Sequence, residues 1–143
     1  MFPDIDRTLA VINGSGLKLT IGNNAAVTLQ RASDPISFAG DVATSARLIA
    51  GEIVDLNVMT RRRSFRHRLR RIGEPASCSF DGADIAVVLS FNGSTKLTEG
   101  QDVVTLDHGD SAILSEAPDA FRIAPILTND CYLVLLYKQS IVF

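Results

Sequence analysis

The tripeptide Asn-Gly-Ser occurs twice, at Asn13-Gly14-Ser15 and Asn92-Gly93-Ser94, and each copy separates two short apolar runs. Asn-Gly accepts positive φ at little cost, so between such runs it is the strongest short-range signal for a β-hairpin. The first copy lies between Thr8–Ile12 and Leu17–Ile21, the second between Ile85–Phe91 and Thr95–Thr98. Each pair is expected to form a hairpin. Gly22-Asn23-Asn24 turns the chain into Ala26–Gln30, which Pro35 ends because it brings no ladder donor. Ile36–Phe38, Ala43–Ile49 and Ile53–Met59 follow in the first half, and Val103–Leu106, Ala112–Leu114, Phe121–Ile126 and Cys131–Tyr137 in the second. No stretch carries a capped, helix-length apolar stripe of period 3.6. Short strands at regular spacing, parted by Gly, Asp and Asn turns, predict an all-β barrel or jelly-roll sandwich. The order strand, Asn-Gly-Ser, strand, Gly-Asp, strand recurs, with Gly40-Asp41 and Gly109-Asp110 as the matching turns. That order predicts an internal duplication, although turn chemistry alone also repeats Asn-Gly-Ser.

At 143 residues, 46% of them apolar, the chain is long enough to bury a core as one domain or as two small units. Its longest apolar runs, Ile85–Leu89 and Leu133–Tyr137, are strand-sized and far short of a membrane span. The opening Met1-Phe2-Pro3-Asp4-Ile5-Asp6 has neither a basic nor an apolar leader region, so no signal peptide is expected. Cys78 and Cys131 are too few and too unpatterned for a disulfide framework or a zinc site. Free buried thiols in the cytoplasm are the expectation.

Few chemistries fit the remaining motifs. His67 and His108 are the only histidines and have no metal-ligand spacing, so no metal and no cofactor are expected. Asp107-His108-Gly109-Asp110 reads as a tight β corner. There is no Gly-x-Ser-x-Gly elbow, no activating setting for either cysteine, and no phosphate loop leading into a helix. Net charge is −2, yet seven of the eleven arginines lie between Arg61 and Arg71. Such a run suggests nucleic acid. Its alternation points elsewhere: Phe65, His67 and Leu69 share one face, Arg66, Arg68 and Arg70 the other. This is the pattern of a half-buried edge strand with solvated arginines that block further pairing, with no nucleic-acid partner.

The strand ending Asp55-Leu56-Asn57-Val58-Met59 places Asp55, Asn57 and Met59 on one face and Leu56 and Val58 on the other. Acid, amide and thioether side by side suit the wall of a small cavity. Asp55 and Asn57 could equally cap loops or bond to nearby backbone.

Three segments resemble the HutD/Ves family, proteins associated with bacterial histidine utilisation. Phe2-Pro3-Asp4-Ile5-Asp6-Arg7-Thr8-Leu9 resembles its Phe-Pro-Gly-x-(Asp/Glu)-Arg segment, with Asp4 in place of Gly. Ile36-Ser37-Phe38-Ala39-Gly40-Asp41 resembles its Phe-x-Gly-Asp turn. Asp55-Leu56-Asn57-Val58-Met59 with Arg61 resembles its Asp-Phe-Asn-Val-Met-x-Arg signature, with Leu56 in place of Phe. The resemblance implies an all-β, cupin-like (RmlC-type jelly roll) bicupin, residues 1–62 being what remains of the first half and 63–143 the second. It also implies a non-enzymatic regulator that binds a small acidic intermediate such as formylglutamate. Carried over by position, the ligand-binding residues are Arg7, Phe38, Asp41, Asp55, Asn57 and Met59. Arg7 would pair with the ligand carboxylate, or else serve as a structural partner of Asp41 or Asp55. The competing expectations are a metal-independent isomerase-like enzyme and a partner-binding module. Longer members carry strands upstream of the Phe-Pro motif, so the first half is expected to be truncated here. Thr8–Ile12 would then be a bare edge available for a homodimer.

Overall fold

A computed structural model describes residues 1–116, 120–126 and 130–140. Among the described residues there are fourteen strands and no helix. They fall into two compact units, Met1–Arg66 and His67–Lys138. The Gln139 N–H returns to the first unit by donating to the Ser64 carbonyl at 2.8 Å.

In the first unit the strands are β1 (Ile5–Asn13), β2 (Leu17–Ile21), β3 (Val27–Leu29), β4 (Ile36–Ala39), β5 (Thr44–Leu48) and β6 (Val54–Arg61). They make two three-stranded sheets, ordered β4-β1-β6 and β3-β2-β5. Leu9 and Val11 from one sheet pack with Leu17, Leu19 and Leu29 from the other. At about 1.5–3 kcal/mol for each large aliphatic side chain fully buried, this small cluster is the unit's main source of stability.

The second unit contains β7 (Phe65–Ile72) from His67 onward, β8 (Ala76–Cys78), β9 (Ile85–Phe91), β10 (Thr95–Glu99), β11 (Asp102–Leu106), β12 (Ser111–Leu114), β13 (Phe121–Pro125) and β14 (Asp130–Lys138). Its sheets are ordered β12-β9-β14-β7 and β11-β10-β13-β8. Their core joins Ala86 and Val88 of β9 and Leu133 and Leu135 of β14 to Leu97, Phe121 and Ile123. Phe80 meets Phe121 edge to face at 5.8 Å.

Adding eight to each strand number converts β4-β1-β6 into β12-β9-β14 and β3-β2-β5 into β11-β10-β13. The expected duplication is therefore present in the pairing itself. β7 and β8 are additions at one edge of each sheet of the second unit.

Three expectations are corrected. Neither Asn-Gly-Ser closes a hairpin: β1 and β2 lie in different sheets, as do β9 and β10. The turn chemistry was read correctly, for Gly14 has φ 93° and Asn92 φ 60°. Each strand nevertheless finds its partners at long range, and the motif serves as a corner between sheets. A side chain at Gly14 would run into the backbone of Glu52 and Ile53, so the corner also needs glycine for close approach. The two Gly-Asp turns are not equivalent either. Gly40-Asp41 joins β4 to β5, whereas Gly109-Asp110 joins β11 to β12. Finally, Thr8–Ile12 is not a bare edge. β1 is the central strand of its sheet, and all five residues are buried, Leu9 and Val11 on one face and Thr8, Ala10 and Ile12 on the other. The edges of that sheet are β4 and β6, so the argument for a dimer through Thr8–Ile12 falls.

β7 has the alternation its sequence suggested. It is an edge strand, with Arg66, Arg68 and Arg70 exposed and Phe65, His67 and Leu69 half-buried.

Candidate functional site

Residues directly opposite one another in an antiparallel pair project from the same face of the sheet. Across β4, β1 and β6 this gives one row of Phe38, Arg7 and Met59 and a second of Ile36, Leu9 and Asn57. Val11 and Asp55 form a third row, and Ile5 and Arg61 a row beyond the first. Leu9 and Val11 belong to the core, so this whole face is the one turned towards the second sheet of the unit. Asp55 and Asn57 are nonetheless exposed, and Met59 is 38% exposed. The inner face is therefore filled by leucine and valine along β1 and open to solvent along β6. Leu56 and Val58, on the opposite face, are half-buried.

Arg7 is the best-anchored polar group on this face. Its Cζ lies 4.9 Å from the centre of the Phe38 ring and 5.2 Å from that of Phe2. Its Nε donates to Asn57 Oδ1 at 3.4 Å. Two ring contacts and one hydrogen bond restrict the guanidinium plane, a favourable use of arginine's flat, delocalised cation. Among the described residues, its two terminal nitrogens make no hydrogen bond. Arg7 is thus tied to neither Asp41 nor Asp55. A guanidinium held in plane with its terminal N–H groups free is suited to a carboxylate, which it can take bidentately.

Of the six residues proposed from sequence, Arg7, Phe38, Asn57 and Met59 come together and Asp55 continues the same face. Asp41 does not join them. It accepts from Arg62 Nη2 at 2.6 Å and from the Asp4 N–H at 3.1 Å. Arg62 Nε also reaches Asp6 Oδ1 at 3.0 Å, and the Arg62 N–H donates to the Asp4 carbonyl at 2.8 Å. Asp41 and Arg62 therefore clamp the start of β1 to the turn after β4. The Arg62 hydrogen bond, followed by that from Asp4, holds the Asp41 carboxyl below its ordinary range. Gly40 completes the clamp: the Phe2 N–H donates to its carbonyl at 2.8 Å and its own N–H donates to Ile5 at 2.7 Å. A Cβ there would meet the Phe2 carbonyl oxygen at 2.8 Å, so glycine at this turn seats Phe2 beside Arg7.

Sequence reasoning missed Phe2 as a partner of Arg7 and Arg62 as the clamp. Phe2 was visible only as part of a motif. Arg62 was indistinguishable from Arg61 and Arg63, because which of three consecutive arginines turns back depends on the bend after β6. Next to Phe2 a cleft of about 560 Å³ is lined by Phe2, Pro3, Ile5, Arg61, Arg63 and Ser64, among others. It extends the open face by the Ile5–Arg61 row. In the second unit His108 is a corner residue, as expected: its Nδ1 accepts from the Asn92 N–H at 2.8 Å. Among the described residues, no cluster of three or more His, Cys, Asp or Glu could hold a metal ion.

The HutD family model matches residues 1–132. The chain belongs to the HutD family. It is 32% identical over 110 residues to Protein Ves of Citrobacter koseri, a match covering 76% of this chain. The chain spans only about half, 55%, of that relative's length. Among solved structures it is similar to HutD from Pseudomonas fluorescens SBW25, with a TM-score of 0.82 and 23% identity over 97% of this chain and 71% of that one. The conserved protein of unknown function PA5104 from Pseudomonas aeruginosa PAO1 gives a TM-score of 0.81 at 18% identity, over 97% and 75% of the two chains. At these identities the solved structures speak to fold. The fold is all-β and cupin-like, in two sandwich halves, as the HutD-like motifs implied. Among the described residues no helix is long and apolar enough to cross a membrane.

Proposed function

We propose that this HutD-family chain is a non-enzymatic regulator of histidine degradation that binds a small acidic metabolite in the cytoplasm. Arg7 anchors the ligand carboxylate. The observation that carries this reading is the state of Arg7, held by Phe2, Phe38 and Asn57 with its terminal nitrogens unused, on a face open along β6. Along a strand at about 3.3 Å per residue, Asn57 sits about 7 Å and Asp55 about 13 Å beyond the Arg7 row. A ligand anchored by its carboxylate at Arg7 would meet first an amide and then an acid that accepts N–H groups. An acylated amino acid such as formylglutamate offers a carboxylate to Arg7 and an amide N–H and carbonyl to Asn57. Met59 and the two rings supply the apolar contact that a carbon chain needs.

The test is a thermal-shift panel of formylglutamate, glutamate, histidine, urocanate and a neutral diamide analogue of formylglutamate. A ligand that binds only the folded state at a hundred times its Kd adds about 2.7 kcal/mol, which is roughly 5–10 °C in Tm for a chain of this size. Formylglutamate is expected to shift Tm and the diamide is not. Equal shifts from the two would remove the carboxylate from the account.

A further inference from the structure

The arginine run of β7 has a second use. Arg70 is followed on its own face by Ile72, which is buried in the core of the second unit, so the arginines stand on the strand face that leans over that core. There Arg68 and Arg70 line a cleft of about 260 Å³ together with Leu69, Asp81, Leu133 and Leu135. Leu133 and Leu135, core residues 1% and 6% exposed, lie at its base. Among the described residues, neither the Arg68 nor the Arg70 side chain makes a hydrogen bond or ion pair. Asp81 takes a hydrogen bond from Ser79 Oγ on Oδ1 at 2.6 Å, which fixes the carboxylate and leaves Oδ2 for another donor.

From this arrangement we infer that the cleft is a binding site for a zwitterionic amino acid with an aliphatic side chain. The two guanidiniums meet the α-carboxylate, Asp81 meets the α-ammonium, and Leu133 and Leu135 meet the side chain. Each part of such a ligand has a counterpart. A simple anion leaves Asp81 as a repulsive neighbour, a simple cation faces two like charges, and a wholly polar molecule leaves Leu133 and Leu135 uncovered. The site lies wholly within the second unit and does not depend on Arg7.

The experiment is calorimetric titration of the full chain with L-leucine, 4-methylpentanoate (no ammonium) and 3-methylbutylamine (no carboxylate). Wild type is compared with the Arg68→Gln/Arg70→Gln double variant and with Asp81→Asn. Asp81 has φ 49°, a conformation that asparagine accepts, so Asp81→Asn removes charge while keeping the backbone. L-leucine is expected to bind wild type at least tenfold more tightly than either truncated analogue. Both variants should lose at least tenfold in leucine affinity, and Asp81→Asn should erase the preference for leucine over 4-methylpentanoate. No heat from leucine at 10 mM would overturn the inference. So would unchanged binding in the double arginine variant, or equal affinity of wild type for leucine and 4-methylpentanoate. The three-ligand comparison on wild type needs no variant, so poor folding of the double variant would leave the test intact.

Discussion

Arg7 on β1 and Arg62 in the turn after β6 show how two nearby arginines divide their work. Arg62 is engaged with Asp6 and Asp41 and holds the turn that seats Phe2, while Arg7 is held by rings and keeps hydrogen-bonding capacity in reserve. The clamp has a pH signature. The folded Asp41 carboxyl titrates below its ordinary 3.8, so its pairing stabilises the fold above that pH and the contribution is lost as pH falls through the lower, folded value. Asp41→Asn is therefore expected to lower Tm at pH 7, with the gap to wild type closing as the solution is acidified below 3.8. Differential scanning calorimetry across that range decides it; a gap that stays constant with pH would show that the charge is not what Asp41 contributes. Cys131 makes a separate case. Burial pushes its thiol up to about 11 although Thr95 offers a hydrogen bond, and it is fully buried. Thiolates, not thiols, react, so Cys131 should resist alkylation at pH 8 in the folded chain and label at once in denaturant, as followed by mass spectrometry.

At the level of strands, much was legible in the sequence and the pairing was not. Leu17–Ile21 and Ile85–Phe91 were bounded correctly because alternation or an apolar run ended at a turn residue. β8 was missed because Ala76-Ser77-Cys78 is three residues long and too short to show a period. The hairpins were misassigned because Asn-Gly fixes only the local backbone, while the partners of β1 lie some thirty to fifty residues away in β4 and β6. The face of Asp55, Asn57 and Met59 was legible because period-two alternation survives any choice of partner. Its meeting with Arg7 was not, because that depends on register. The packing gives its own test. Leu19 is 3% exposed in the core of the first unit and Val103 is 52% exposed. Leu19→Ala should cost about 2–5 kcal/mol, whereas Val103→Thr should stay within about 0.5 kcal/mol, both read from urea unfolding midpoints. Comparable losses would mean that the sandwich interior is not the source of stability.

Over the whole molecule, one six-strand plan appears twice, and the copies have been put to different uses. In the first, the edge strand β6 carries Asp55, Asn57 and Met59 and leaves the interior open beside Arg7. In the second, the equivalent strand β14 carries Cys131, Leu133, Leu135 and Tyr137 and closes it. The divergence of β6 from β14 is what makes one half a candidate receptor, with Arg7 as its proposed anchor. Isothermal titration of formylglutamate into wild type and Arg7→Ala tests this most directly. A charge-assisted hydrogen bond contributes about 1.5–3 kcal/mol, so the account predicts saturable binding by wild type and an affinity loss of roughly 10- to 100-fold in Arg7→Ala, with the fold unchanged by circular dichroism. Binding of equal strength by the two proteins, or none by wild type, would contradict it.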